Sequence, residues 1–79
     1  MIEAFVMIVV RPGKEEMVYN ALKDVPAVKE IYRVYGEYDV ILRIEVGSIK
    51  ELDDFHDHVL RRIKNVEMTE TLIASSYRG

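Results

Sequence analysis

Three stretches of this 79-residue chain gather side chains able to do chemistry. The first is Gly36-Glu37-Tyr38-Asp39. A glycine-containing turn presents backbone N–H donors to an anion, and a carboxylate beside it meets a cation. A free amino acid carries both charges, so this turn is a candidate effector site. Read as plain structure, the same residues make a hairpin turn, Gly36 supplying the backbone conformation and Asp39 a side-chain bond to the turn. The second stretch is Asp53-Asp54-Phe55-His56-Asp57-His58. On a helix Asp54 shares a face with His58, and Asp53 with Asp57. A metal site needs three or four converging ligands, and the chain has no cysteine and only two histidines, so this run reads as a solvated helix face without metal. The third is Ser75-Ser76. A nucleophilic serine needs a base held by a third group, and neither serine has an evident partner. With no P-loop and no G-x-G-x-x-G, no residue nominates itself as catalytic and no cofactor is expected.

The elements that position these residues follow from periodicity. Ile2 to Val10, IEAFVMIVV, is β-branched, aromatic and almost continuously apolar, the pattern of a strand buried on both faces. Arg11-Pro12-Gly13 breaks it. From Lys14 the period becomes helical, with Met17, Val18, Ala21, Leu22 and Val25 on one side, until Pro26 excludes the α region for Val25. Alternation returns from Val28 to Gly36. After the turn, Val40, Leu42, Ile44 and Val46 face one way and Ile41, Arg43 and Glu45 the other, which predicts an antiparallel hairpin. A capping box, Ser48 with Glu51 reaching back to the Ser48 backbone, opens a second helix. Its stripe is Ile49, Leu52, Phe55, Val59, Leu60 and Ile63, and Asn65 is a left-handed stop. A last strand runs from Glu67 to about Tyr77. Its faces are ambiguous, because Met68 and Leu72 share parity with Glu70, and Ile73 with Thr69 and Thr71.

The order strand, helix, strand, strand, helix, strand predicts an α+β, ferredoxin-like βαββαβ sandwich spanning residues 1–79 as a single domain. In a four-stranded antiparallel sheet of this kind the first and third strands are central, and these are the most apolar. Two helices cover one face only. Whichever face of the first strand is left, Phe5, Met7 and Val9 or Ala4, Val6, Ile8 and Val10, apolar residues remain uncovered. A partner sheet laid against them would remove that surface from water, and a two-fold homodimer is the simplest arrangement. A chain that is 49% hydrophobic at this length points the same way.

Net charge is −3, with 14 acidic residues against 11 Lys and Arg. Basic residues are scattered apart from Arg61, Arg62 and Lys64, which are ordinary placements near a helix end, so direct nucleic-acid binding is not expected. Ile2–Val10 falls short of the ~20 residues of a membrane span and lacks the layout of a signal peptide, so no membrane partner is expected. Absence of cysteine suits a reducing cytoplasm.

Gly36-x-Tyr38-Asp39-Val40-x-Leu42 and Val66-x-x-Thr69-x-Thr71-x-Ile73 together resemble the hairpin signature and final-strand pattern of the Lrp/AsnC (feast/famine) transcription regulators, in their effector-binding RAM domain. The resemblance covers essentially the whole chain. It implies a non-enzymatic module whose dimers pair through their sheets and close into octamer-like assemblies, with a small effector, usually an amino acid, at a subunit interface. By matching position, Gly36, Glu37, Tyr38 and Asp39 would line the pocket. Thr69 and Thr71, with Ser75 and Ser76, would supply hydroxyls from a neighbouring chain. Asn65 stands where the family often has glycine. The helix-turn-helix that precedes this domain in the regulators is missing, so the chain resembles the stand-alone form, DNA binding does not carry over, and full-length regulators are candidate partners. The alternatives are a small dimeric ferredoxin-like enzyme, a cofactor-free monooxygenase or isomerase using His56, His58 or Tyr35 in a deep pocket, and an assembly domain without ligand.

Overall fold

A computed structural model describes residues 1–75. Its elements are β1 (Ile2–Val10), α1 (Glu15–Leu22), β2 (Val28–Arg33), β3 (Val40–Val46), α2 (Ile49–His58), a 3₁₀ turn (Leu60–Arg62) and β4 (Val66–Ile73). The strands form one antiparallel sheet in the order β2-β3-β1-β4, so the two most apolar strands are central, as expected.

Strict alternation along the central strands sorts the core. Ala4, Val6, Ile8 and Val10 of β1 and Val40, Leu42, Ile44 and Val46 of β3 are buried beneath Val18 and Leu22 of α1, Leu52 and Phe55 of α2, and Leu60. The intervening residues of β1 are only half-buried, which corrects the reading of a strand buried on both faces. The helices lie on one side, and the other face of β1 is left with Glu3, Phe5, Met7 and Val9. Register settles β4: Met68, Glu70 and Leu72 stand opposite Val9, Met7 and Phe5 on the open face, while Thr69, Thr71 and Ile73 stand opposite Ile8, Val6 and Ala4 on the helix side.

Several boundaries are shorter than periodicity suggests. Helix α1 has eight residues and buries only Val18 and Leu22, while Met17 remains 55% exposed at its flank. Val25 lies in the following turn, its N–H donating to the Leu22 carbonyl. Helix α2 stops at His58 instead of running to Ile63, and Ile49 is exposed. In an unbroken α-helix Leu60 would stand about 140° round the axis from Phe55. The change to a 3₁₀ turn after Val59 brings Leu60 into the core at 2% exposure.

The Ser48 hydroxyl does cap α2, accepting from the Glu51 N–H at 3.1 Å, but Glu51 reaches back to the Gly47 N–H at 2.7 Å rather than to Ser48. A side chain at residue 47 would crowd that carboxylate, its Cβ falling 3.1 Å from Glu51 Oε1. Asn65 takes the expected left-handed conformation, φ 75°, and its carbonyl accepts from the Arg11 N–H at 2.9 Å. Strand β2 ends at Arg33 and β4 at Ile73, short of Gly36 and Tyr77.

Leu42 is wholly buried on a central strand, so Leu42→Ala should destabilise the fold by about 2–5 kcal/mol. Tyr35→Ala, at a fully exposed ring, should fall within about 0.5 kcal/mol of the parent. Urea midpoints compared across the two variants check both.

Candidate functional site

The loop between β2 and β3 spans residues 34–39 and is closed by the Val34 N–H donating to the Asp39 carbonyl at 2.9 Å. Gly36 has φ 130°, a region that side chains avoid, and open space surrounds it, so glycine is required there for the backbone alone. The Asp39 side chain does not bond to its own turn as expected. The Asp39 N–H donates to the Ile8 carbonyl at 2.8 Å, and its Oδ2 accepts from the Val10 N–H at 2.8 Å. Val10 lies where β1 has outrun β3, whose pairing ends at Val40 opposite Ile8. The Asp39 carboxylate therefore takes the place of a missing strand neighbour and clamps the turn to β1.

Tyr38 projects onto the open face, where its hydroxyl donates to Glu70 Oε1 across β1. That bond raises the Tyr38 pKa above the usual 10.0, with desolvation and the Glu70 charge adding to it. Glu30 raises the Tyr32 pKa in the same way. Turn and β4 of one chain are thus already joined, and the joining residue on β4 is Glu70, which sequence reasoning passed over in favour of its neighbours Thr69 and Thr71. Strand parity could have found it, since Glu70 alternates with both threonines.

The residues of the expected site do not converge within one chain. Asp39 lines an open recess of about 360 Å³ with Glu15, Arg33, Val34 and Tyr35. Thr69 lines a different groove of about 280 Å³, on the helix side, with His56, Leu60, Arg61 and Ile63 among its walls. Thr71 is half-buried on the helix side of β4, Glu37 and Gly36 are exposed, and Ser75 is exposed beyond β4. Ser76 lies outside the described residues. The Asp39 recess brings together a guanidinium, Arg33, and two carboxylates, Glu15 and Asp39. Neither Arg33 nor Glu15 was expected there. Arg33 stands close before the turn in sequence, but Glu15 arrives from α1, and only tertiary structure places it.

On the open face Arg43 is ringed by three carboxylates: its Nε donates to Glu30 at 2.9 Å, and its Nη1 to Glu45 at 2.7 Å and Glu3 at 3.2 Å. The Glu45, Glu30 and Glu3 bonds hold the guanidinium pKa above its already high ordinary value, and Arg43 in turn lowers that of Glu30.

Along α2, Lys50 approaches Asp54 at 3.4 Å and His56 approaches Asp57 at 3.6 Å. Among the described residues no group of three or more His, Cys, Asp or Glu side chains is placed to hold a metal ion. The enzyme alternative calls for an enclosed pocket with a perturbed His or Tyr. Tyr35 and His58 are exposed, His56 lines an open groove, and no polar or charged residue is buried among those described. No described helix is long and apolar enough to cross a membrane.

Comparison with known proteins gives a consistent picture. A sequence model described as the Lrp/AsnC ligand binding domain matches residues 3–77. The HTH-type transcriptional regulator FL11 of Pyrococcus furiosus is 38% identical over 70 residues, covering 89% of this chain and 46% of the regulator. The chain thus spans about half the length of the curated relatives it matches. The hypothetical protein PHS023 of Pyrococcus horikoshii, solved as a crystal structure, is 42% identical with a TM-score of 0.90, covering 98% of this chain and 93% of that one. The crystal structure of TTHA0845 of Thermus thermophilus is 34% identical with a TM-score of 0.95, covering 100% and 99%.

Two outcomes test the local chemistry. Asp39→Ala should cost about 1–3 kcal/mol by leaving the Val10 N–H without its acceptor, while Asp39→Asn, which keeps an acceptor oxygen, should cost less. Thermal melts of the pair check it. Ultraviolet titration of the phenols should show Tyr38 ionising above 10.0, and Glu70→Gln should return it toward that value. Because the folded pKa is raised, the bond's stabilising effect is fully present below pH 10 and is lost as pH climbs through the folded value.

Proposed function

Because the chain belongs to the Lrp/AsnC ligand-binding domain family, we propose that it is a regulatory module that binds a small amino-acid effector at the Asp39 recess and assembles with other chains through its open sheet face. One observation carries the ligand reading: the recess holds Arg33 beside Asp39 and Glu15, a cation and two anions, suited to the carboxylate and ammonium of one zwitterion. Asp39 uses Oδ2 on Val10, which orients the carboxylate without removing its charge. A transcriptional regulator of Neisseria meningitidis, 16% identical with a TM-score of 0.86, was solved in complex with L-Met, which supports amino-acid chemistry for this fold.

The split between two recesses supports an interfacial pocket. Asp39 and Thr69 line separate recesses of one chain, so a single effector touching both takes one of them from each of two chains. The open face supplies the means of assembly. Met68 is 58% and Leu72 49% exposed on it, beside Phe5, Met7, Val9 and Ile41. Face-to-face packing of two sheets buries such a surface, giving a dimer. Dimers meeting at the effector recess close a larger, octamer-like assembly, and full-length regulators of the family are candidate partners in it. An effector held only in the assembled state draws the equilibrium toward it.

Calorimetry and light scattering against the twenty amino acids test this. At least one amino acid should bind and shift the oligomer distribution, and Arg33→Gln and Asp39→Asn should each weaken it about tenfold, roughly 1.4 kcal/mol. Asp39→Asn is preferred to Ala because it spares the Val10 bond. Unchanged affinity in both variants would sink the site.

A further inference from the structure

The open face is as acidic as it is apolar. Among the described residues Glu3, Glu30, Glu45 and Glu70 stand on it, with the cation Arg43 in their midst. These four carboxylates outnumber Arg43 by three. Arg43 is already encircled by three of those carboxylates. Glu70 is held by the neutral Tyr38 phenol, which leaves its charge uncompensated. Arg33, on the edge strand, pairs with Val40 and so stands with the helix-side residues.

Two copies laid face to face would bring eight carboxylates and two guanidiniums into one interface. Expelling water from between them strengthens the repulsion, because fewer dipoles screen it. The apolar strip still favours pairing, but it favours any sheet of matching shape. Charge is then what distinguishes one occupant from another.

We propose that this face selects, over a second copy of the chain, a partner of the same sheet-and-helix kind whose facing strands carry a surplus of Lys or Arg. The inference rests on the reading of the open face as a pairing surface and names its preferred occupant. A basic face would meet Glu3, Glu30 and Glu45 around the rim of the Arg43 cluster and Glu70 beside the apolar strip.

The test makes the basic partner from the chain itself. Glu30→Lys/Glu45→Lys/Glu70→Lys inverts the surplus, and Glu30→Gln/Glu45→Gln/Glu70→Gln removes it. Mixing the parent with the Lys variant at about 50 mM salt and weighing the complexes by native mass spectrometry should give mainly mixed dimers. Their dissociation constant should be about tenfold or more below that of the parent homodimer, and the preference should shrink at about 500 mM salt. The Gln variant should self-associate more tightly than the parent. Should the Lys variant fail to fold by circular dichroism, the Gln comparison decides alone. A parent homodimer as tight as the mixed dimer, or a Gln homodimer no tighter than the parent, overturns the selection by charge and leaves the pairing surface standing. No association by parent, variants or mixture at micromolar concentration overturns the pairing reading and this inference with it.

Discussion

Four strands and two short helices make a two-layer body, and among the described residues one side of the sheet is left uncovered. Everything distinctive here is a response to that geometry. The buried core on the helix side is made of Val, Leu, Ile, Ala and Phe, with no buried polar group among the described residues. The open side mixes half-buried apolar residues with an ion-pair cluster, a composition that tolerates water and still gains from excluding it.

Polar side chains extend order to places where backbone pairing ends. Asp39 stands in for a strand beside Val10, Glu51 satisfies Gly47 ahead of α2, and Tyr38 ties the β2–β3 turn to β4. The first and third of these place the candidate effector turn in contact with both central and edge strands. A ligand at the Asp39 recess touches a loop that is bonded to β1 by backbone and carboxylate and to the open face by a phenol. The Asp39 recess and the open face are therefore neighbours through one residue step, Tyr38 to Asp39, a short physical route by which the proposed ligand binding and assembly would be linked.

The charges divide along the same line. Arg33, Glu15 and Asp39 gather at the recess, where both signs suit a small zwitterion. The open face carries one sign in excess, which suits a macromolecular surface of the opposite sign. Neither set is buried, so the interactions of both are subject to screening by salt.

Strand order, the capped start of α2, the left-handed Asn65 and the inward face of β3 were legible in the residues, because each depends on a local rule: alternation, a hydroxyl three residues before an amide, or the tolerance of asparagine for positive φ. What the chain's own letters left open depended on non-local register. Which face of β1 the helices take, and whether β4 shows Met68, Glu70 and Leu72 or Thr69, Thr71 and Ile73 to the open side, followed only from pairing with β1. Helix lengths were overrun because periodicity continues where packing does not, as Met17 and Ile49 show at the edges of the core. The same limit applies to the site. The turn motif marks Asp39 as a candidate, but its bond to Val10, the arrival of Glu15 from α1 and the Tyr38–Glu70 bridge join residues distant in sequence, and only folding brings such groups within reach of one another.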